Sequence, residues 1–305
     1  MSALAHLQDE LRDVGAGIAR AEAALASSPR SRSVLITLRS LQKRQNMLEH
    51  RFLEVAGDHE LDVCSYRVFM EEARPLISGL AEILSDFQKL FSLTYASVHT
   101  KQPRKRGRIG VEAAAQTSFG FAYSFGGSVG FVLTLPNDQC TQFDSDLDEA
   151  MNVVFSMAKS SKPEQIVEYA RQYGPGPVRA LFSWANHHAD HGMGADIEWR
   201  RVNEVRASLL IQYPELRELR DAIALTSDVR STKVEVAGDL VGIDVDRRTF
   251  HLRVGDDDLA GSLSDDIRQA VELPRHYRAV IEERTITKYS TEEEKTTRIL
   301  LSLSH

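Results

Sequence analysis

Apolar residues recur at alternating spacings of three and four from the start of the chain: Leu4, Leu7, Leu11, Val14, Ile18, Ala21 and Leu25. On an α-helix these positions share one seam, the pattern of a coiled coil. Ser27-Ser28-Pro29-Arg30-Ser31 interrupts it, and the pattern resumes with Val34, Leu38, Leu41, Gln45, Leu48, Phe52 and Val55, one polar residue lying on the seam. Two such helices joined by a short proline-containing turn predict a coiled-coil-like antiparallel helical hairpin over residues 1–57. Each helix offers one apolar stripe, which can close the hairpin on itself or pair it with a second copy. Leu4, Leu7, Leu11, Val14, Ile18, Leu38, Leu41, Gln45 and Leu48 are therefore the expected oligomerisation residues, with Gln45 fixing register at some cost in stability.

The period then changes. Leu61 to Met70 predicts a strand, and Pro75 suits the first turn of a helix carried by Leu76, Leu80, Ile83, Leu84, Phe87, Leu90, Phe91 and Thr94. The stretch Val111 to Leu135 combines aromatic, branched and small residues. In it Phe119, Phe121, Tyr123 and Phe125 alternate with Gly120, Ala122 and Ser124, and Val129, Phe131, Leu133 and Leu135 alternate after Gly126-Gly127. This predicts a β-hairpin turning near Gly126-Gly127, its aromatic face pointing into a core under the preceding helix. From Ser145 the chain reads as helical. Ser145 is a cap candidate, Ser161-Lys162-Pro163-Glu164 starts a second helix, Gly174-Pro175-Gly176-Pro177 breaks it, and a third helix runs from about Pro177 through Trp184. Glu198 to Arg230 reads as a charged, mostly helical connector. Residues 58–230 are thus expected to form an α+β core with a helical extension.

Residues 231–305 change character again. Lys233 to Val236, Gly238 to Asp244, Thr249 to Val254, Leu259 to Leu263, His276 to Arg284 and Thr296 to Leu303 are short alternating segments, with a helix expected from Ser264 to Ala270. So many short strands predict a small antiparallel β-barrel of SH3-like or OB-like architecture. No motif in it belongs to one family, so the likeness implies no ligand.

Composition narrows the function classes. Hydrophobic content of 42% and charged content of 27% are ordinary for a soluble globular protein. The balance of 37 Lys and Arg against 44 Asp and Glu, net −7, exerts no global pull toward nucleic acid or anionic membrane. Binding of that kind would need a local patch, and one exists: Lys101, Arg104, Lys105, Arg106 and Arg108 fall in a single loop able to neutralise several phosphates, though without interleaved stacking aromatics. Cys64 and Cys140 stand apart from each other, which speaks against a disulfide framework and a cysteine zinc site. The first residues are acidic and amphipathic where a signal peptide is basic and then apolar, and no apolar run would span a bilayer. A cytoplasmic protein with no cofactor and no membrane partner is expected.

Two motifs bear on chemistry. Gly126-Gly127-Ser128-Val129-Gly130 matches the G-x-S-x-G elbow of serine hydrolases, but the next residues read as a strand where the elbow requires a helix. His187 and His191 stand one helical turn apart and could face one metal, with Asp196 or Glu198 adding a carboxylate. His188 occupies the place of a zinc protease's general-base glutamate, and histidines at a helix C-terminus are favoured there by the dipole alone. Asp256-Asp257-Asp258 reads as an acidic turn without the spaced ligands of a calcium loop.

The reading is of a non-enzymatic interaction protein that self-associates through its helical hairpin and binds a protein partner through its barrel. One alternative is a nucleic-acid-associated factor using residues 101–108. A second is a hydrolase using Ser128 or the histidines of 187–191.

Overall fold

The seam of three and four is a real helical face. In the computed structural model, which describes residues 3–70, 76–104, 107–125, 129–137, 145–265, 267, 272–291 and 294–304, α1 (Ala3–Ser27) and α2 (Arg32–Asp58) pack together along it. Leu7, Leu11, Val14, Ile18 and Ala21 are the buried residues of α1. The Arg44 guanidinium meets Glu10, and Gly17 faces Leu41, so the two helices run antiparallel.

The chain divides into two units, Met1–Leu225 and Thr226–His305. In the first, β1 (Leu61–Phe69), β2 (Gly120–Phe125), β3 (Val129–Pro136), β4 (Gly194–Arg201) and β5 (Glu204–Ile211) form an antiparallel sheet in the order β2-β3-β1-β4-β5. Around it lie α3 (Ile77–Thr100), α4 (Val111–Thr117), α5 (Asp146–Ala158), α6 (Pro163–Tyr173), α7 (Pro175–Asp190) and α8 (Tyr213–Leu225). The central strand β1 shows how the layers arise, because successive side chains point to opposite faces. Tyr66 meets Phe87 of α3 edge-on at 4.9 Å, and Cys64 pairs with Trp199, whose ring lies 5.9 Å from Phe91 of α3. Val63 points the other way, into a cluster with Leu7 and Leu11 of α1 and Phe52 and Ala56 of α2. One face of the sheet is therefore covered by helices, and the hairpin sits on part of the other.

Several sequence expectations need correction. The predicted hairpin of Val111 to Leu135 begins only at Gly120, because Val111–Thr117 is helix α4, consistent with its alanine run and a glutamate in the first turn. Its turn, residues 126–128, lies outside the described residues, as does Pro75. Nor do its aromatic residues share a face. A bulge between Phe121 and Tyr123 shifts the alternation by one residue. Phe119 stacks on Phe87 and Phe91, Phe121 is 61% exposed, and Tyr123 meets Phe52 of α2 edge-on at 5.3 Å.

The expected break at residues 174–177 shrinks to Gly174 alone, whose φ is 97°. Helix α7 starts at Pro175, since a proline in the first turn forfeits only an N–H that has no intrahelical partner. The expected helical connector after Glu198 is replaced by strands β4 and β5, and only α8 is helical. Trp199, Val202, Val205 and Leu209 fall at helical spacing, but burial alternates with period two through Ile197, Trp199 and Arg201, and through Ala207, Leu209 and Ile211.

In the second unit, β6 (Ser227–Asp244), β7 (Thr249–Val254), β8 (Asp257–Leu263), β9 (Arg275–Lys288) and β10 (Glu294–Ser304) close into a barrel in the order β10-β8-β7-β6-β9. Leu240, Phe250, Leu252, Ala279, Ile281 and Leu300 fill it. Two expectations are corrected here. The segments Lys233 to Val236 and Gly238 to Asp244 belong to one strand, bulged between Leu240 and Gly242, and the barrel is not wholly antiparallel because β8 and β10 pair in parallel. Of the expected helix, Ser264 and Asp265 are not helical, and most of the rest lies outside the described residues.

Candidate functional site

Helix α1 enters the sheet-side cluster only as far as Leu11, and α2 only from Leu48 onward. Beyond these points each helix has the other's seam. From Val14 to Ser27 the arm extends about 20 Å at 1.5 Å per residue. Of the expected oligomerisation residues, Leu7, Leu11, Val14 and Ile18 are buried within the chain, while Leu4, Leu38, Leu41, Gln45 and Leu48 are half-buried. A groove of about 770 Å³ runs along the arm. Its floor includes Val14, Gly17, Ala21, Ala24, Val34 and Leu41, and its rim carries Glu10, Asp13, Arg20 and Arg44.

A second, smaller cleft of about 370 Å³ lies where the C-terminal half of α2 passes over the sheet. It brings together residues that nothing in the sequence connects. Asn46, Glu49 and His50 come from α2, Ser65 from β1, Tyr123 from β2, and Glu198 and Arg200 from β4. The strand register explains the meeting, since Ser65 pairs with Glu198 and Val63 with Arg200. Gln45, the seam's polar residue, donates its amide to Glu49 Oε1 at 2.8 Å. Burial lifts the Glu49 carboxyl above the usual range, although the Gln45 amide and the nearby His50 and Arg200 oppose this. Arg200 donates from Nε and Nη2 to the same Glu198 oxygen, at 3.0 and 2.6 Å.

The histidines do not converge. His187 Nδ1 lies 2.7 Å from Asp86 and His191 Nε2 lies 3.2 Å from Glu82, two rungs joining α7 to α3. The second rung relies on a glycine: a Cβ on Gly79 would stand 2.7 Å from the His191 ring. Between them His188 is fully buried, with Nδ1 3.0 Å from the Met193 carbonyl and Nε2 2.9 Å from the Tyr66 hydroxyl. Asp196 pairs with Arg67 and Glu198 with Arg200, so neither carboxylate turns to the histidines. Among the described residues no three metal-ligating side chains come together.

Among its described residues the basic loop is held at Arg104. The Arg104 N–H donates to the Tyr173 carbonyl at 2.8 Å, and the Arg104 carbonyl accepts from Gly176 at 3.0 Å. Lys101 closes α3 with φ at 51°, Arg108 is exposed, and Lys105 and Arg106 lie outside the described residues. Ser128 lies outside them too, and the residues directly after it form strand β3.

A buried ion cluster leaves no signal in the sequence. Arg201 grips Asp62 with two hydrogen bonds, at 2.9 and 3.0 Å, and meets Asp148 at 2.9 Å. Asp148 completes a capping box with Ser145 at the start of α5 and accepts from the Trp199 indole at 2.9 Å. Burial pushes the Asp148 carboxyl up, but hydrogen bonds from Ser145 and Trp199 and the charge of Arg201 outweigh it and hold it below its ordinary value. The cluster ties β1, β4 and α5 together and reads as a structural staple.

No helix among the described residues is long and apolar enough to cross a membrane. Comparison with protein-family models, with curated proteins and with solved structures finds no match.

Proposed function

We propose that the protein is a non-enzymatic cytoplasmic assembly factor that self-associates through the α1–α2 arm and presents its barrel to a protein partner. The observation that carries this reading is the arm, which extends past the cluster on the sheet and bears a groove with an apolar floor and charged rim. Gly17, Ala21 and Ala24 keep its floor low, so another helix can approach closely. The rim is complementary to itself. Asp13 lies nearer the sheet and Arg20 nearer the tip, so a two-fold antiparallel apposition sets Asp13 of each copy against Arg20 of the other.

The strand order of the barrel, β6-β7-β8-β10-β9 with β8 and β10 parallel, supports an OB kind over an SH3 meander. Barrels of that kind often take oligonucleotides. Here residues 226–305 hold 12 Lys and Arg against 16 Asp and Glu, a net of −4 that favours a protein partner over a polyanion.

Sedimentation of the full chain at micromolar concentration tests the arm. A dimer or higher oligomer is expected, Asp13→Arg should dissociate it, and adding Arg20→Asp should restore it. A monomeric wild-type chain, or an Asp13→Arg chain that assembles unchanged, would overturn the reading. A gel shift with single-stranded DNA at low salt should show no complex.

A further inference from the structure

The cleft beneath α2 holds one carboxylate more than its guanidinium answers. Arg200 is committed to Glu198 through two hydrogen bonds onto one oxygen. Glu49 receives only the Gln45 amide, on Oε1, and its Oε2 has no partner among the described residues. His50 beside it is exposed. The Tyr123 hydroxyl likewise finds no hydrogen bond among the described residues, although the side chain is 94% buried and lines the cleft. Both oxygens reach solvent at the cleft, so a carboxylate oxygen and a hydroxyl without a protein partner stand open at one cavity, where a third molecule can engage them.

The surroundings define its chemistry. The rings of Tyr123 and Phe125 with Leu53, Val63 and Val132 supply an apolar wall. Ser65 and Asn46 offer further hydrogen-bonding groups. An anion would meet Glu49 and Glu198, with the guanidinium of Arg200 already engaged. A cation would find a half-buried carboxylate that makes no salt bridge among the described residues, with an apolar wall of Tyr123, Phe125 and Val132 beside it. The volume of about 370 Å³ lies at the small end of ligand pockets, which suits a compact molecule.

We infer that this cleft is a binding site for a small amine with an aromatic or branched apolar body, the ammonium resting on Glu49 and the body against Tyr123, Phe125 and Val132. Such a site is independent of the arm groove and survives whether or not the chain self-associates.

Three near-isosteric probes test it on the full chain by ligand-observed NMR titration: tyramine, its neutral alcohol tyrosol, and the anion 4-hydroxyphenylacetate. Tyramine should bind at least about tenfold more tightly than tyrosol, the worth of one charge-assisted hydrogen bond, and the anion should not bind. Glu49→Gln should bring tyramine down to the level of tyrosol. Ser65→Leu, which narrows the cleft from the sheet without touching Glu49, should abolish binding of both. Both tryptophans, Trp184 and Trp199, lie in the first unit, so their fluorescence reports whether each variant keeps its fold. Equal binding of the three probes, no binding of tyramine, or tyramine affinity unchanged in a folded Glu49→Gln or Ser65→Leu chain would overturn the proposal.

Discussion

The Tyr66 hydroxyl donates to Nε2 of His188 across 2.9 Å and accepts from the Trp184 indole at 2.8 Å. With Nδ1 of His188 3.0 Å from the Met193 carbonyl, the ring carries its proton on Nδ1 and is neutral. Burial pushes His188 down from 6.5 to about 4. In the unfolded chain the same ring takes a proton near 6.5, so the unfolded state binds more protons between those values. Stability is therefore full above 6.5 and lost as pH falls to about 4, by on the order of 3 kcal/mol from this residue. Urea unfolding followed by tryptophan fluorescence at pH 7 and pH 4.5 should show the loss, and His188→Gln should show a smaller one. Equal slopes in the two proteins would refute the assignment.

The staple of Asp62, Arg201 and Asp148 makes a one-sided prediction. Arg201→Met leaves two buried carboxylates with no counter-charge, and removing one partner of a buried pair costs about 3–5 kcal/mol. Adding Asp62→Asn and Asp148→Asn removes the stranded charges and should recover most of that loss. Midpoints of urea unfolding decide the matter. A single Arg201→Met variant within about 1 kcal/mol of wild type would show that water reaches the cluster.

What could be read from the residues depended on whether one period ran unbroken. The α1 seam was legible because Leu7, Leu11, Val14 and Ile18 are buried on one side with no interruption. The aromatic strand misled because the bulge after Phe121 leaves no mark in an alternating sequence. The β4–β5 hairpin misled because Val202 and Val205, at helical spacing from Trp199, are partly exposed residues at and just after the turn. The cleft was invisible for another reason. Glu49, Ser65, Tyr123 and Arg200 come from four elements, and no spacing along the chain announces that they meet. The one hint was polar: Gln45 on an apolar seam, which turns out to hold Glu49.

Gly174 and Gly192 both have positive φ, at 97° and 65°, yet only one is crowded. A Cβ on Gly174 would stand 2.2 Å from the Arg104 carbonyl oxygen, whereas nothing lies within 4 Å of one on Gly192. Gly192→Ala should cost only the strain of a left-handed residue, about 1 kcal/mol. Gly174→Ala adds a backbone clash and should cost about 3 kcal/mol or more, with the basic loop released from Tyr173 and Gly176. Proteolysis between Lys101 and Arg108 would then accelerate in Gly174→Ala alone. Similar cleavage rates in the two variants would mean that the loop is not held by this contact.

The barrel closes through its shortest seam. Among the described residues Ile299 with Ser262 and Leu300 with Leu263 pair β10 to β8, and Gly261 lets the strands come together, since a Cβ there would lie 2.2 Å from the Arg298 carbonyl oxygen. A methyl group at this point must push β10 away from β8, breaking the closure and exposing Leu300 and Leu263. Gly261→Ala should therefore destabilise the second unit by more than about 3 kcal/mol. The first unit holds both tryptophans, so their fluorescence transition serves as an internal control. Amide hydrogen exchange should accelerate across β8 and β10 while tryptophan unfolding stays where it was. If exchange in those strands remained as slow as in the wild type, close approach at Gly261 would not be what shuts the barrel.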